Sequence, residues 1–234
     1  MWENVLPDNI AIDCAKGLLA GGASLALQWI VPRTIHVLKR FRVSLLGKLP
    51  RDRGAAIRRH TERRLAAILA TDVVGYSRLT EADEEGTHDR LTTLQREVVD
   101  PIIHEHRGRI VKNTGDGALV EFRSVVDAVR CAIEVQRALA VRNASAPQDH
   151  RIDFRLGVSL GDVIVEPNDI YGHSVNVAVR LEGLAVPGGI CLTANAWHCV
   201  RGKIAAQVID LGELHLKNIT EPAQVYAIPP AAGA

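Results

Sequence analysis

The sequence predicts an α+β domain of ferredoxin-like βαββαβ architecture, with further strands appended at its C-terminal end. Three observations lead there. Apolar residues make up 47% of the 234 residues, yet aromatics only 4%. The core must therefore be built from Val, Ile, Leu and Ala, which suits a Val/Ile-rich sheet under Ala/Leu-rich helices. Short apolar runs bounded by turn residues also alternate with helical periodicity in the order β-α-β-β-α-β.

The elements follow in order along the chain. Residues 65–74 form a short apolar run, a buried strand. Residues 80–84 are polar, and a helical pattern follows to about His106. Residues 109–113 and 118–122 read as two strands joined by the tight turn Thr114-Gly115-Asp116-Gly117. Residues 125–141 have helical spacing. Residues 152–165 read as strands with a Gly161-Asp162 turn between them. Residues 174–185 are helical and close at Pro187-Gly188-Gly189. Residues 190–192 form a strand, and the tail alternates through 208–228.

Residues 1–61 differ in kind. Residues 1–60 hold ten Lys/Arg and four Asp/Glu, a net of +6, whereas the remainder holds eighteen and twenty-three, a net of −5. The apolar stretch 17–31 ends at Pro32 and is shorter than the ~20 residues a spanning helix needs. A basic amphipathic segment follows, with Ile35, Leu38, Phe41 and Leu45 on one face. Residues 47–60, with Pro50 and Gly54, read as a linker. Three readings stay open for this extension: a peripheral membrane anchor, a soluble helix pair, or a poorly ordered tail. Asp8, Asp13 and Lys16 argue against a cleavable signal peptide. No aromatic stacking platform accompanies the basic charges, so no nucleic-acid partner is expected. Cys14, Cys131, Cys191 and Cys199 form no CxxC pair. They read as reduced thiols of a cytoplasmic protein, membrane-associated if the extension is an anchor.

Several chemical signatures are missing. There is no GxxxxGK[ST] loop, no GxGxxG after a strand, no HExxH and no GxSxG. A nucleotide would have to be held by metal and side chains. Asp72 ends an apolar run and Asp116 sits in a hairpin turn. Spacing alone leaves two readings open: carboxylates at adjacent strand ends that share a divalent ion, or ordinary turn residues.

Five stretches, in order over roughly residues 62–229, resemble the motifs of class III nucleotidyl cyclases. They are Ala70-Thr71-Asp72-Val73-Val74-Gly75-Tyr76-Ser77-Arg78-Leu79; Lys112-Asn113-Thr114-Gly115-Asp116-Gly117; Phe154-Arg155-Leu156-Gly157-Val158-Ser159-Leu160-Gly161; Asp169-Ile170-Tyr171-Gly172-His173-Ser174-Val175-Asn176-Val177-Ala178-Val179-Arg180-Leu181; and Leu216-Lys217-Asn218-Ile219 followed by Val225-Tyr226. The resemblance implies a cyclase fold and a catalytic domain over residues 62–234. It implies that Asp72 and Asp116, with the carbonyl of Val73, hold two Mg²⁺ or Mn²⁺ ions. One ion would activate the ribose 3′-hydroxyl, and the other would bind the triphosphate. Arg155 and Lys217 would hold phosphates. Asn176 would orient the ribose, and Arg180 would stabilise the pentavalent α-phosphate.

Lys112 and Asp169 would read the base. A lysine donor and an aspartate acceptor complement N1 and the N6 amino group of adenine, whereas guanine reverses that polarity. The expected activity is therefore conversion of ATP to cyclic AMP and pyrophosphate. Guanylate cyclase is the alternative among enzymes, and a silent nucleotide- or partner-binding domain is the alternative outside them. The resemblance further implies a homodimer, with Asp72, Asp116 and Arg155 from one subunit and the remaining residues from the other. Residues 163–168 are short where relatives carry a longer dimer-contacting arm. Gly117 stands where alanine is commoner, with little effect expected.

Overall fold

The computed structural model describes residues 62–230. The basic extension, its candidate anchor and the linker lie outside the described residues. The strands form one sheet in the order β2-β3-β1-β4-β6-β8-β7, with β5 paired to β4. β1 spans Glu62–Val73, β2 Arg109–Asn113, β3 Ala118–Phe122 and β4 Phe154–Val165. These four pair antiparallel as β2-β3-β1-β4, the ferredoxin-like order. β5 (Ile170–Tyr171), β6 (Ile190–Thr193), β7 (Ile209–Leu214) and β8 (Ala223–Ile228) extend the sheet, with β6 parallel to β4.

Strand alternation divides the core between two faces. On one face Ala67, Leu69 and Val73 of β1 pack with Phe122, Phe154, Leu156 and Val158. The helices α1 (Tyr76–Ala82), α2 (Glu84–Leu94), α3 (Asp100–Glu105), α4 (Val125–Ala144) and α6 (Ala194–Val200) contribute residues to this core. On the other face Ala66, Ile68 and Ala70 meet Ala178 of α5 (His173–Leu184). Val177 and Leu181 of the same helix pack with Cys191, Val225 and Ala227. The helices start where sequence chemistry supplies a cap. Asp83, Ser124 and Thr193 accept hydrogen bonds from the amides of Gly86, Asp127 and Ala196.

The strand order and the two long helices match the expectation, with four differences. The helical stretch begins earlier, at Tyr76, after Gly75 in the left-handed conformation. It is interrupted by a π-helical turn at Gln95–Val99, where the Asp100 amide reaches back to the Gln95 carbonyl. Pro101 follows and has no amide to return to the ladder, which accounts for the wider turn. The expected turn at Gly161-Asp162 is instead continuous strand. Both residues pair with β1, Gly161 opposite Ala66 and Asp162 opposite Leu65. The glycine serves contact rather than turning, because a Cβ there would lie 2.1 Å from Ser174 Oγ. Finally, α6 has only seven residues, too short to leave a helical period in the sequence. No helix among the described residues is long and apolar enough to cross a membrane. Cys131 and Cys191 are buried free thiols, and Cys199 is an exposed one.

Candidate active site

β1 carries Asp72 to the end of the sheet, and Val73 closes the strand opposite Phe154. Directly across from Asp72 in the register is Arg155, near the start of β4. Nη2 of Arg155 donates to Asp72 Oδ2. On the other side of β1, the β2–β3 turn closes with the Thr114 amide donating to the Gly117 carbonyl at 2.9 Å. The turn lies against the end of β1, with the Gly117 backbone packed on Thr71 and Asp72, so Asp116 is held near Asp72. Burial, and then the neighbouring Asp72 charge, raise the Asp116 pKa, while its own amide and Arg155 work the other way.

Gly117 makes this approach possible. A Cβ at that position would lie 1.8 Å from the Thr71 carbonyl oxygen and 3.2 Å from Asp72 Cα. The expectation that this residue matters little is therefore corrected: the backbone of β1 occupies the space an alanine would need.

Two neighbouring carboxylates, one of them bonded to a guanidinium, suit a hard divalent cation. Among the described residues no group of three or more His, Cys, Asp or Glu side chains is placed to hold a metal alone. Two carboxylates plus substrate phosphate oxygens are the donor set Mg²⁺ or Mn²⁺ accepts, so the residues fit the expected ions.

The structure adds a residue that the sequence reading missed. Glu182 of α5 lies with its carboxylate 3.9 Å from Arg155 Nη2, and its side chain is 12% exposed. Burial first, then Asp72, raises its pKa to about 7, against the lowering effect of Arg155. A signal was present. Glu182 falls one turn after Ala178 and three residues before Ala185, on the buried stripe of the helix. An acid on an apolar stripe calls for a partner.

Lys112 of β2 and Asp169 before β5 are far apart in sequence, yet Lys112 Nζ lies 3.4 Å from Asp169 Oδ2. The Ile170 amide, donating to Asp169 Oδ1 at 2.9 Å, and then Lys112 hold the Asp169 carboxyl below its ordinary value. Asn176 and Arg180 are one turn apart on α5. Asn176 is exposed, and Arg180 Nε donates to the Lys217 carbonyl at 3.0 Å. That bond joins α5 to the turn between β7 and β8, where Lys217 is exposed and Asn218 adopts φ 62°. Among the described residues, no hydrogen bond or ion pair joins Asn176, Arg180 or Lys217 to Asp72, Asp116 or Arg155. The candidates thus fall into a carboxylate–arginine cluster, a Lys112–Asp169 pair and an α5–Lys217 unit.

Comparison with known proteins shows the family and fold to which the chain is similar. Residues 59–229 match the family model described as "Adenylate and Guanylate cyclase catalytic domain". A Rhizobium meliloti protein named "Putative adenylate cyclase 3" is 47% identical over 168 residues, 72% of this chain and 29% of its own length. The chain thus spans under a third of that relative. The crystal structure titled "Adenylate/Guanylate Cyclase/Hydrolase from Silicibacter pomeroyi" superposes with a TM-score of 0.70 at 42% identity, covering 73% of this chain and 99% of that one. The adenylyl cyclase CyaB from P. aeruginosa shares the fold, with a TM-score of 0.65 at 22% identity, covering 74% of this chain and 97% of that one.

Proposed function

The chain belongs to the adenylate and guanylate cyclase catalytic-domain family, and from that premise we propose that it is an adenylate cyclase, forming cyclic AMP and pyrophosphate from ATP at a homodimer interface. The observation that carries the choice of ATP is the Lys112–Asp169 pair, an ammonium 3.4 Å from a carboxylate. A donor beside an acceptor matches N1 and the N6 amino group of adenine and opposes the guanine edge.

In this reading Asp72, Asp116 and the Val73 carbonyl hold the metal. Bound Mg²⁺ or Mn²⁺ supplies a lowered pKa at the 3′-hydroxyl and offsets charge on the departing pyrophosphate. Arg155 and Lys217 grip phosphate oxygens as fixed cations. Asn176 holds the ribose, so that the 3′-oxygen lies in line with the bond that breaks. Arg180, anchored by its Nε on the Lys217 carbonyl, keeps its remaining N–H groups for the α-phosphate, where negative charge grows. Support for the dimer is that one chain supplies both sets of groups, yet among the described residues no hydrogen bond or ion pair joins the α5–Lys217 unit to the carboxylate–arginine cluster.

The test is cyclic nucleotide production from ATP and from GTP, with Mn²⁺ or Mg²⁺, beside Asp72→Ala. Cyclic AMP above cyclic GMP, lost in the variant, is the expected result. Preferred turnover of GTP would overturn the substrate assignment. No product from either nucleotide at high protein concentration would point to a binding domain.

A further inference from the structure

Arg155 stands between two carboxylates on different elements, and its bonding is incomplete. Its Nη2 reaches Asp72 on β1, whereas Glu182 Oε1 on α5 is 3.9 Å away. Arg155 Nε is buried and, among the described residues, has no hydrogen-bond partner. Among the described residues, Glu182 makes no side-chain hydrogen bond, and its one ion pair is the 3.9 Å contact with Arg155. A guanidinium offers five N–H donors in a rigid fork, and leaving one buried and unused is costly. The unused donor and the unused acceptor belong to neighbouring side chains.

This inference rests on reading Asp72 as a metal carboxylate. A divalent ion at Asp72 brings positive charge against the guanidinium, so Arg155 must give up that oxygen. We infer that Glu182 is a positioning residue which receives the Arg155 guanidinium when Asp72 turns to metal. The metal-free arrangement then has Arg155 as a stand-in cation on Asp72. The metal-loaded one has Arg155 paired side-on with Glu182, its Nε satisfied and its fork held in a fixed direction. α5 is the element that makes this exchange available. Backbone contact with β4 at Gly157 fixes the helix, since a Cβ there would lie 2.4 Å from the Glu182 amide.

The experiment measures Mn²⁺ binding to the full chain by the loss of the free-ion paramagnetic resonance signal, without nucleotide. It is run above the value of about 7 to which burial raises the Glu182 carboxyl. Glu182→Gln is expected to weaken Mn²⁺ binding on the order of tenfold, because the metal must displace an arginine that has nowhere to go. In an Arg155→Met background the same substitution is expected to change binding less than twofold, closing a double-mutant cycle. An equal loss in both backgrounds would mean that Glu182 acts on the metal through its own charge, and would overturn the inference. So would unchanged binding in Glu182→Gln alone. Thermal melts of each variant show whether it is folded. If Glu182→Gln is not, Glu182→Asp replaces it in the same cycle, with a smaller loss expected and the same dependence on Arg155. Asp72→Asn separates the premise from the inference: full Mn²⁺ affinity in that variant would remove the metal reading itself.

Discussion

At Gly117 the absence of one carbon decides how close two strand ends come. The Thr71 carbonyl oxygen fills the position of the missing Cβ at 1.8 Å, and that obstacle is backbone, which cannot rotate away. Gly117→Ala must therefore push the β2–β3 turn from β1 and carry Asp116 off Asp72. The expected cost is roughly 1–3 kcal/mol of stability, read from the denaturant midpoint. If Asp116 holds metal as proposed, Mn²⁺-dependent turnover should fall on the order of tenfold or more, since catalytic groups tolerate little displacement. Wild-type turnover in this variant would show that the close approach is unnecessary. Single residues differ in how much of this the sequence discloses. Asp72 stands out as a polar residue at the end of an apolar run, and Asp116 as the acid of a tight hairpin turn. Gly117 looks like any turn glycine, because the atom it avoids belongs to a strand 46 residues earlier in the chain. Glu182 is visible only as an acid on an apolar stripe, and nothing in the sequence says that its neighbour is Arg155.

The elements were legible where a residue's local chemistry and its tertiary partner agree. Residues 118–122 read as a strand and form one, since an apolar run between Gly117 and Arg123 has no competing use. Gly161-Asp162 has good turn chemistry, yet twelve consecutive register pairs with β1 keep β4 extended through it. α5 shows the same tension within a single helix. Its face toward β4 is so close that a Cβ at Gly157 would lie 2.2 Å from the Ala178 carbonyl, whereas nothing among the described residues lies within 4 Å of a Cβ at Gly183. Two glycine-to-alanine substitutions should therefore move stability in opposite directions. Gly157→Ala forces the helix off the sheet and is expected to lose about 1–3 kcal/mol. Gly183→Ala gains helix propensity in open space and is expected to add roughly 0.5–1 kcal/mol. Denaturant unfolding of both variants checks the pair; a stabilising Gly157→Ala would mean that the β4–α5 contact is loose.

At the scale of the molecule, one chain carries all the groups that the proposed reaction needs without bringing them together. Glu182 turns toward Arg155, the partner of Asp72. Two residues earlier, about 200° around the helix, Arg180 bonds the Lys217 carbonyl, and Asn176 is exposed. A two-fold partner resolves the mismatch if its α5 faces this chain's carboxylates, and the same operation builds a second, equivalent site. Complementation tests that arrangement directly. On the proposed reading, Asp72→Ala would lack the carboxylate half of every site and Arg180→Ala the phosphate half, so each homodimer should be inactive. In an equal mixture half of the dimers are mixed, and each mixed dimer holds one site with both defects and one with neither. Activity should return to about a quarter of wild type, and it should rise faster than linearly with concentration while the dimer is still assembling. If both variants remain folded and the mixture stays silent while wild type turns over, the reaction must be completed within one chain. Arg180 would then have to leave Lys217 and cross to its own subunit's carboxylates, a movement that the close packing of α5 on β4 opposes.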